Sequence, residues 1–383
     1  MSRRRRRRRK RRNPAGRLIA LVLTLVVAGG AAAGGIWYYA EHSGNPLTEY
    51  ADEKYNADLY RAEPFSETLC VSAENVALDG FTDEPSLHAA GLFNLNERSV
   101  EYGYRLYDKL YPASTTKLMT AYLALKYGKL EDMVTVTDSV TGFAIDEVVC
   151  GLYPGGQVKL YDLLCGLLLK SGNDCGVAIA EYISGSVEAF AELMNEEAKE
   201  LGATGTHFVN PHGLHEDDHY TTAKDVALMA RALITNYPEI SEYATIWMEN
   251  ITHETKRGSS EFGLSNTNKL LKMANNFEVT GLKTGSTAKA GYCFCGTAVK
   301  DGLNLIAVVM DAPDYKIRFS EVQQLLNYGF ANCRAYRDDN PPELLPMAVK
   351  DGQKEWVTLA YEQPFSYITF RGENPEDIRS ELV

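Results

Sequence analysis

The chain has 383 residues, of which 45% are hydrophobic and 23% charged, a balance typical of a globular protein with a sizeable core. The charge is unevenly placed, because eleven of the 39 basic residues precede residue 18, whereas the chain contains 51 acidic residues. The remainder therefore carries a net charge of about −23. So acidic a protein is repelled by phosphates, which argues against nucleic-acid binding.

The N-terminal segment predicts a membrane anchor. Residues 18–40 contain no charged side chain and are long enough to cross a hydrocarbon core of about 30 Å. The basic run before them predicts a cytoplasmic N-terminus, with the rest of the chain outside the cell. The alternative is a signal peptide cleaved near the small residues 31–33, which would also export the protein. We therefore expect a basic tail at 1–17, an anchor at 18–40 and a polar linker at 41–65.

The next part of the sequence predicts a hairpin followed by helices. Short apolar runs on either side of the polar residues 96–98 indicate a β-hairpin within 89–104. Apolar residues at helical spacing, or in nearly continuous runs, predict a series of helices. These are expected at 118–125, 160–169, 188–201 and 223–235.

The periodicity changes after residue 278. Two apolar runs, 292–299 and 303–310, flank Lys300-Asp301-Gly302, a pattern that predicts a second hairpin with an Asp-Gly turn. A helix is expected at 318–330. Strands at both ends of the domain with helices between them indicate an α+β fold, whose sheet is built from distant parts of the chain.

The last 40 residues predict part of a separate β-domain. Short apolar runs within 345–383 alternate with turn residues after Pro341-Pro342, and three such strands would be only marginally stable alone. The number of cysteines is seven, so they cannot all pair in an even disulfide framework. They form no repeated C-x-x-C pattern, so a zinc ribbon is not indicated. Cys293 and Cys295 share one face of a predicted strand, where we expect them to be buried.

Two short motifs combine a serine with a second polar side chain. Ser114 and Lys117 lie three residues apart at a helix start, where the amine can contact the hydroxyl and take its proton. Ser171 and Asn173 lie two apart on a turn and can face one cleft. Considered alone, the first motif is better explained by a helix cap and the second by an ordinary polar turn.

A third motif, Lys283-Thr284-Gly285, opens a predicted strand. Alternation places Lys283 and Gly285 on one face, and a lysine beside a hydroxyl suits a carboxylate ligand. The glycine would allow a substrate backbone to come close. The alternative is a solvated lysine on an edge strand.

Taken together, the three motifs resemble those of the low-molecular-mass penicillin-binding proteins, the serine D-alanyl-D-alanine carboxypeptidases of peptidase family S11. The similarity includes residues 112–120, 170–174 and 210–214, and it covers 66–335 as a catalytic domain. Residues 345–383 resemble the opening of the family's C-terminal β-domain. The resemblance implies a penicillin-binding/β-lactamase-like transpeptidase fold, with an antiparallel sheet flanked by helices and a helical lobe.

The resemblance also implies catalytic roles for three side chains. Ser114 would attack the D-Ala-D-Ala carbonyl and become acylated, with Lys117 as its base. Ser171 would relay a proton to the leaving D-alanine. The oxyanion hole would be formed by the backbone N–H groups of Ser114 and Ser286, and each such donor is worth about 3 kcal/mol.

The substrate-binding residues follow from the same resemblance. Asn173 would hold the substrate amide, and Lys283 with Thr284 would hold the terminal carboxylate. Gly285 and Ser286 complete the expected substrate-binding set. In some relatives a histidine follows the K-T-G motif, so Ser286 is a departure from their pattern.

The resemblance implies a bacterial enzyme, held in the cell membrane by the anchor or secreted after its cleavage. Its substrate would be a peptidoglycan stem peptide ending in D-Ala-D-Ala, and β-lactams would acylate it. No cofactor, metal or nucleic acid is expected. The alternatives are a class A β-lactamase, a non-catalytic cell-wall-binding scaffold and, from His212, His215 and His219, a zinc carboxypeptidase.

Overall fold

The computed structural model describes part of the chain, namely residues 75–77, 84, 86–95, 99–255, 258–337, 343–348, 356–361 and 366–370. The predicted tail, anchor and linker at 1–65 lie outside the described residues and stay predictions. Within the described ranges, no helix is both long and apolar enough to cross a membrane.

The described residues form strands and helices at most of the predicted places. The strands are β1 (Ala89–Asn94), β2 (Ser99–Tyr104), β3 (Met133–Thr135), β4 (Gln157–Lys159), β5 (Met248–Thr255), β6 (Gly258–Ser265), β7 (Glu278–Thr287), β8 (Gly291–Lys300), β9 (Leu303–Ala312), β10 (Cys333–Arg337), β11 (Met347–Ala348), β12 (Trp356–Val357) and β13 (Ser366–Phe370). The α-helices are α1 (Lys117–Tyr127), α2 (Leu160–Cys165), α3 (Asn173–Ser184), α4 (Val187–Glu200), α5 (Ala223–Asn236), α6 (Ile240–Ala244) and α7 (Tyr315–Asn332).

The central sheet has the order β2-β1-β9-β8-β7, and all its pairings are antiparallel. The N-terminal hairpin pairs with β9 near the end of the domain, so the predicted sheet from distant parts of the chain is confirmed. The turn between β8 and β9 has positive φ at Asp301 (49°) and Gly302 (80°), as the Asp-Gly pattern predicts. Strand β7, which carries the K-T-G motif, lies at one edge of this sheet.

Alternate residues of β9 enter two hydrophobic cores, because successive side chains of a strand point to opposite faces. Leu305, Ala307 and Val309 pack with helix α7 on one face. On the other face, Ile306 and Val308 pack with the buried faces of helices α1, α2, α3 and α5. The sheet is therefore covered by α7 on one side and by a helical lobe on the other, which confirms the predicted α+β fold.

Several smaller strands lie beside this core. Strands β3, β4, β5 and β6 form a second antiparallel sheet that the sequence patterns did not predict. Short strands do occur in the last part of the chain, where β11 pairs with β12. Strand β13 pairs with β10, which follows α7 directly.

Candidate active site

Ser114 and Lys117 are brought together at the start of helix α1. Residues Ala113–Thr116 form one turn of 3₁₀ helix that runs directly into α1. In a 3₁₀ turn the side chains at i and i+3 eclipse one another. The Lys117 Nζ accordingly donates a hydrogen bond of 3.0 Å to the Ser114 Oγ, so the predicted contact is present.

Lys117 is completely buried and its amine has two further partners. Nζ donates to Asn173 Oδ1 at 2.8 Å and to the carbonyl oxygen of His212 at 2.7 Å. Burial disfavours the charged form and lowers the pKa of Lys117 to about 7, whereas the nearby Cys175 and Asp174 act in the opposite direction. A lysine with this pKa is partly neutral near pH 7 and can therefore accept a proton.

Ser171 and Asn173 lie where the helical lobe changes direction. Helix α2 ends in one π-helical turn, Gly166–Lys170, and Ser171 then adopts the left-handed conformation, with φ of 72°. This turn places Asn173 at the first position of α3, beside the amine of Lys117. Ser171 is buried, and the described lining of the active-site cleft does not include it.

Asp174 holds this turn in place, and the sequence patterns assigned no role to it. Its buried carboxylate accepts three hydrogen bonds from backbone N–H groups, those of Cys150 (2.8 Å), Cys175 (3.0 Å) and Leu152 (2.9 Å). The backbone N–H of the neighbouring Asn173 donates to the carbonyl oxygen of Val148 at 2.8 Å. The loop before β4 is thereby joined to the start of α3, and it forms one wall of the cleft.

Lys283 is completely buried on β7. Its Nζ donates to the carbonyl oxygen of Thr284 at 3.0 Å, and burial together with the charge of Lys117 holds its pKa well below the usual range. The Thr284 hydroxyl lies 2.8 Å from that of Thr267. An unpredicted residue, Arg318 of α7, donates from Nη1 to the Gly285 carbonyl at 2.8 Å. No sequence motif surrounds Arg318, so this contact becomes visible only from the position of the arginine in the fold.

Gly285 makes a close contact that the sequence did not suggest. A Cβ at this position would lie 2.9 Å from both the Pro112 oxygen and the Ser114 nitrogen. The missing side chain therefore makes room for the nucleophile segment of the same chain. Gly213 does the same from another side, since with φ of 85° its Cβ would lie 1.8 Å from the Ala113 oxygen.

A cleft of about 590 Å³ opens beside Ser114. Its acidic residues Asp146, Glu147 and Glu216 make no ion pair with any described residue. The lining consists of Ser114, Asp146, Glu147, Val148, Asn173, Val209, Asn210, His212, Gly213, Leu214, His215, Glu216, Ser286, Thr287 and Ala288. The cleft thus contains the predicted Ser114, Asn173 and Ser286, while Lys117 and Lys283 lie beneath its surface.

Two of the three histidines considered as zinc ligands, His212 and His219, make hydrogen bonds within the protein. His219 accepts from the Val209 N–H through Nδ1, and its Nε2 is 2.8 Å from the Thr116 hydroxyl. The Nδ1 of His212 accepts from the Leu214 N–H. Burial lowers the pKa of both imidazoles to about 3, so they are neutral. These bonds support the loop over the nucleophile, and among the described residues the three histidines do not form a group whose nitrogens converge on a metal position.

Comparison with known proteins gives the family. The profile of the D-alanyl-D-alanine carboxypeptidases, peptidase family S11, matches residues 89–314. D-alanyl-D-alanine carboxypeptidase DacF of Bacillus subtilis is 34% identical over 315 residues, which cover 79% of this chain and 78% of that protein.

Solved structures agree with this assignment. Penicillin-binding protein 5 of Haemophilus influenzae superposes with a TM-score of 0.64 and 32% identity, covering 76% of this chain and 85% of that one. Penicillin-binding protein D2 of Listeria monocytogenes, in its ampicillin-bound form, gives a TM-score of 0.55 and 29% identity over 65% of this chain and 100% of that one. The chain therefore belongs to peptidase family S11, the serine D-alanyl-D-alanine carboxypeptidases, and has the fold of the penicillin-binding proteins.

Proposed function

We propose that this protein removes the terminal D-alanine from peptidoglycan stem peptides through an acyl-enzyme on Ser114. The observation that carries the proposal is the set of three contacts made by Lys117. When Lys117 is neutral, its two N–H groups can donate to Asn173 Oδ1 and to the His212 carbonyl. The lone pair then faces the Ser114 hydroxyl, which lies 3.0 Å away. The amine is therefore oriented to accept the serine proton.

In the first step the Ser114 oxygen bonds to the carbonyl carbon of the scissile D-Ala-D-Ala bond while its proton passes to Lys117. The negative charge that develops on the carbonyl oxygen is stabilised by the backbone N–H groups of Ser114 and Ser286, both on the cleft. The C–N bond then breaks, and the leaving amine takes up a proton through Ser171. Water completes the cycle by hydrolysing the ester and restoring Ser114.

The terminal carboxylate of the substrate is expected near the K-T-G strand. Thr284 offers a hydroxyl there, and the buried guanidinium of Arg318 supplies a positive field behind it. The Asn173 amide oxygen accepts from Lys117, so its NH₂ group can donate to a carbonyl oxygen of a substrate in the cleft. β-Lactams carry an acyl group and a carboxylate in a similar arrangement, and we expect them to acylate Ser114.

The cellular location is part of the proposal. The uncharged residues 18–40, preceded by the basic run 3–12, support a single-pass anchor with its N-terminus in the cytoplasm. The catalytic domain would then lie outside the cell membrane, where peptidoglycan is found. Cleavage after a signal peptide would release the same domain into that compartment.

The test is to treat the full-length, detergent-solubilised protein with a labelled penicillin and to measure its intact mass. We expect one adduct on the wild type and on Ser139→Ala, an exposed serine outside the cleft, and none on Ser114→Ala. D-Alanine release from a D-Ala-D-Ala peptide should follow the same pattern. Rapid penicillin turnover would instead favour a β-lactamase, and a folded wild type without adduct would favour a non-catalytic scaffold.

A further inference from the structure

A second cleft lies next to the active-site cleft. It has a volume of about 320 Å³ and is here called the outer cleft; its lining consists of Lys109, Leu110, Tyr111, Asp217, Tyr220, Lys289, Ala290 and Asp311. The Tyr111 ring packs edge-on against His215 of the active-site cleft, with ring centroids 4.5 Å apart. The two clefts are also joined through the chain, because Ala288 lines one and Lys289 the other.

The outer cleft contains two lysines and two aspartates. Its two carboxylates face imidazoles, with Asp217 at 3.4 Å from His215 and Asp311 at 3.6 Å from His88. Across the described residues, neither Lys109 nor Lys289 has a carboxylate within ion-pair distance. Two exposed lysines without acidic partners are notable because the chain beyond residue 17 carries many more acids than bases.

Lys109 is also partly ordered by an aromatic contact. Its Nζ lies 4.1 Å from the centroid of the Tyr220 ring, which is a cation–π geometry. This contact holds the ammonium at the cleft without neutralising its charge. The outer cleft therefore holds one lysine at a defined position beside a tyrosine ring, and a lysine placed in this way can bind a carboxylate on a peptide chain.

The path from the nucleophile to the outer cleft matches a peptide in extended form. Strand β7 is at the edge of the central sheet, so a peptide can lie along it. From Ser286 to Lys289 is three residues, at most about 11 Å of extended chain. A substrate residue two or three positions before the scissile bond therefore reaches the outer cleft.

The charges of the two clefts follow an order along this path. The wall near Ser114 is acidic, with Asp146 and Glu147, and the outer cleft supplies Lys109 and Lys289. A matching peptide has a cationic side chain close to its D-alanyl-D-alanine end and a carboxylate one residue further away. L-Ala-γ-D-Glu-L-Lys-D-Ala-D-Ala has this order of charges.

We propose that the outer cleft is a substrate subsite in which Lys109 and Lys289 bind the carboxylate of the residue preceding the diamino acid of the stem peptide. This inference rests on the proposed function and specifies its substrate: stem peptides with a free carboxylate at that residue are preferred over amidated ones. The subsite acts on binding and not on bond cleavage, since it is remote from the reacting atoms.

The test compares that pentapeptide with its γ-D-isoglutamine counterpart, in which the carboxylate is an amide. For the wild type we expect kcat/KM to be about threefold to tenfold higher with the carboxylate, mainly through a lower KM, because two exposed ion pairs contribute modestly. The preference should shrink as ionic strength rises. Because the ratio compares kcat/KM for the two peptides on the same variant, a general loss of activity does not change it.

The variants make the outcome decisive. Lys109→Ala and Lys289→Ala should each bring the ratio towards one, Lys289→Glu should invert it, and Lys289→Arg should keep it. Lys199→Ala, an exposed lysine of α4 outside both clefts, is the matched control and should retain the wild-type ratio. Equal kcat/KM for the two peptides in the wild type, or an unchanged ratio in Lys289→Glu, would overturn the subsite. Absence of both penicillin adduct and D-alanine release would instead overturn the proposed function.

Discussion

The carbonyl oxygen of His212 accepts a hydrogen bond of 2.7 Å from Lys117 Nζ, although the two residues are 95 positions apart in the chain. A main-chain carbonyl cannot change protonation state, and its position is fixed by the loop that carries it. The candidate base is thus oriented by the backbone of the 210–214 segment as well as by Asn173. The response of the enzyme to pH therefore depends on this arrangement.

The activity should fall in acid as Lys117 becomes protonated. Because burial lowers the pKa of Lys117 to about 7, kcat/KM is expected to lose about tenfold per pH unit below that value. The measurement is a profile of kcat/KM for a D-Ala-D-Ala peptide between pH 5 and 9. An acid limb that continues upward towards the ordinary lysine pKa of about 10 would contradict the lowered pKa, and a profile without an acid limb in this range would exclude Lys117 as the base.

Substitution of Asn173 by Asp should move this limb to higher pH. The new carboxylate would lie about as far from Nζ as the present oxygen, 2.8 Å, and would favour the ammonium form. We expect activity at pH 7 to fall at least about tenfold and to recover partly at pH 9. Asn236→Asp, at an exposed position of α5, is the control. A loss that is equal at every pH would show that Asn173 acts only through substrate contacts.

Substitution of Asp174 by Asn should destabilise the domain. The single amide oxygen of asparagine can accept some of these hydrogen bonds. Its NH₂ group, however, would face a backbone N–H that donates to the carboxylate in the wild type. Losing charge-assisted hydrogen bonds at a buried site predicts a decrease of about 3 kcal/mol in the free energy of unfolding. Urea denaturation measures it, with the exposed Asp217→Asn as control. An unchanged midpoint would mean that the loop before β4 is held by other contacts.

The domain should also lose stability in acid through His212 and His219. Their pKa values are lowered to about 3 by burial, whereas a histidine in the unfolded chain titrates near 6.5. Between these values the unfolded state binds more protons, so each histidine lowers stability by about 1.4 kcal/mol per pH unit as the pH falls from 6.5 towards 3. Above pH 6.5 the two contribute no pH dependence.

His219→Gln isolates one of these contributions. Its free energy of unfolding should vary less steeply than that of the wild type between pH 6.5 and 4, by about 1.4 kcal/mol per pH unit. Denaturant titrations at several pH values provide the comparison. Parallel curves for the two proteins would show that His219 is protonated in the folded state.

Local patterns were sufficient for much of the fold. The Asp301-Gly302 pair predicted the turn between β8 and β9, because only a few residue types accept positive φ at both positions. Apolar spacing located helices α1, α4, α5 and α7 to within a few residues. Strands β3 and β4 were missed because each has three residues with one buried side chain, too few to show alternation.

The site was predictable in part for the same reason. The Ser114–Lys117 contact joins residues three apart on one helix, so their spacing in the sequence is enough to predict it. The contacts from His212 and Arg318 join segments far apart in the chain and become visible only after folding. The contact of Gly285 with the nucleophile segment was not predicted, because a glycine shows that something comes close but not what it is.

The two glycines that contact the nucleophile segment have a consequence for how this enzyme can diversify. Gly213 and Gly285 press main-chain atoms against residues 112–115, and main-chain atoms have no alternative rotamers. The floor of the cleft is consequently a rigid template that cannot adapt to a new substrate by repacking. Altered selectivity is therefore more accessible through side chains on the rim, at 146–148 and 287–289, which can be exchanged without displacing the serine.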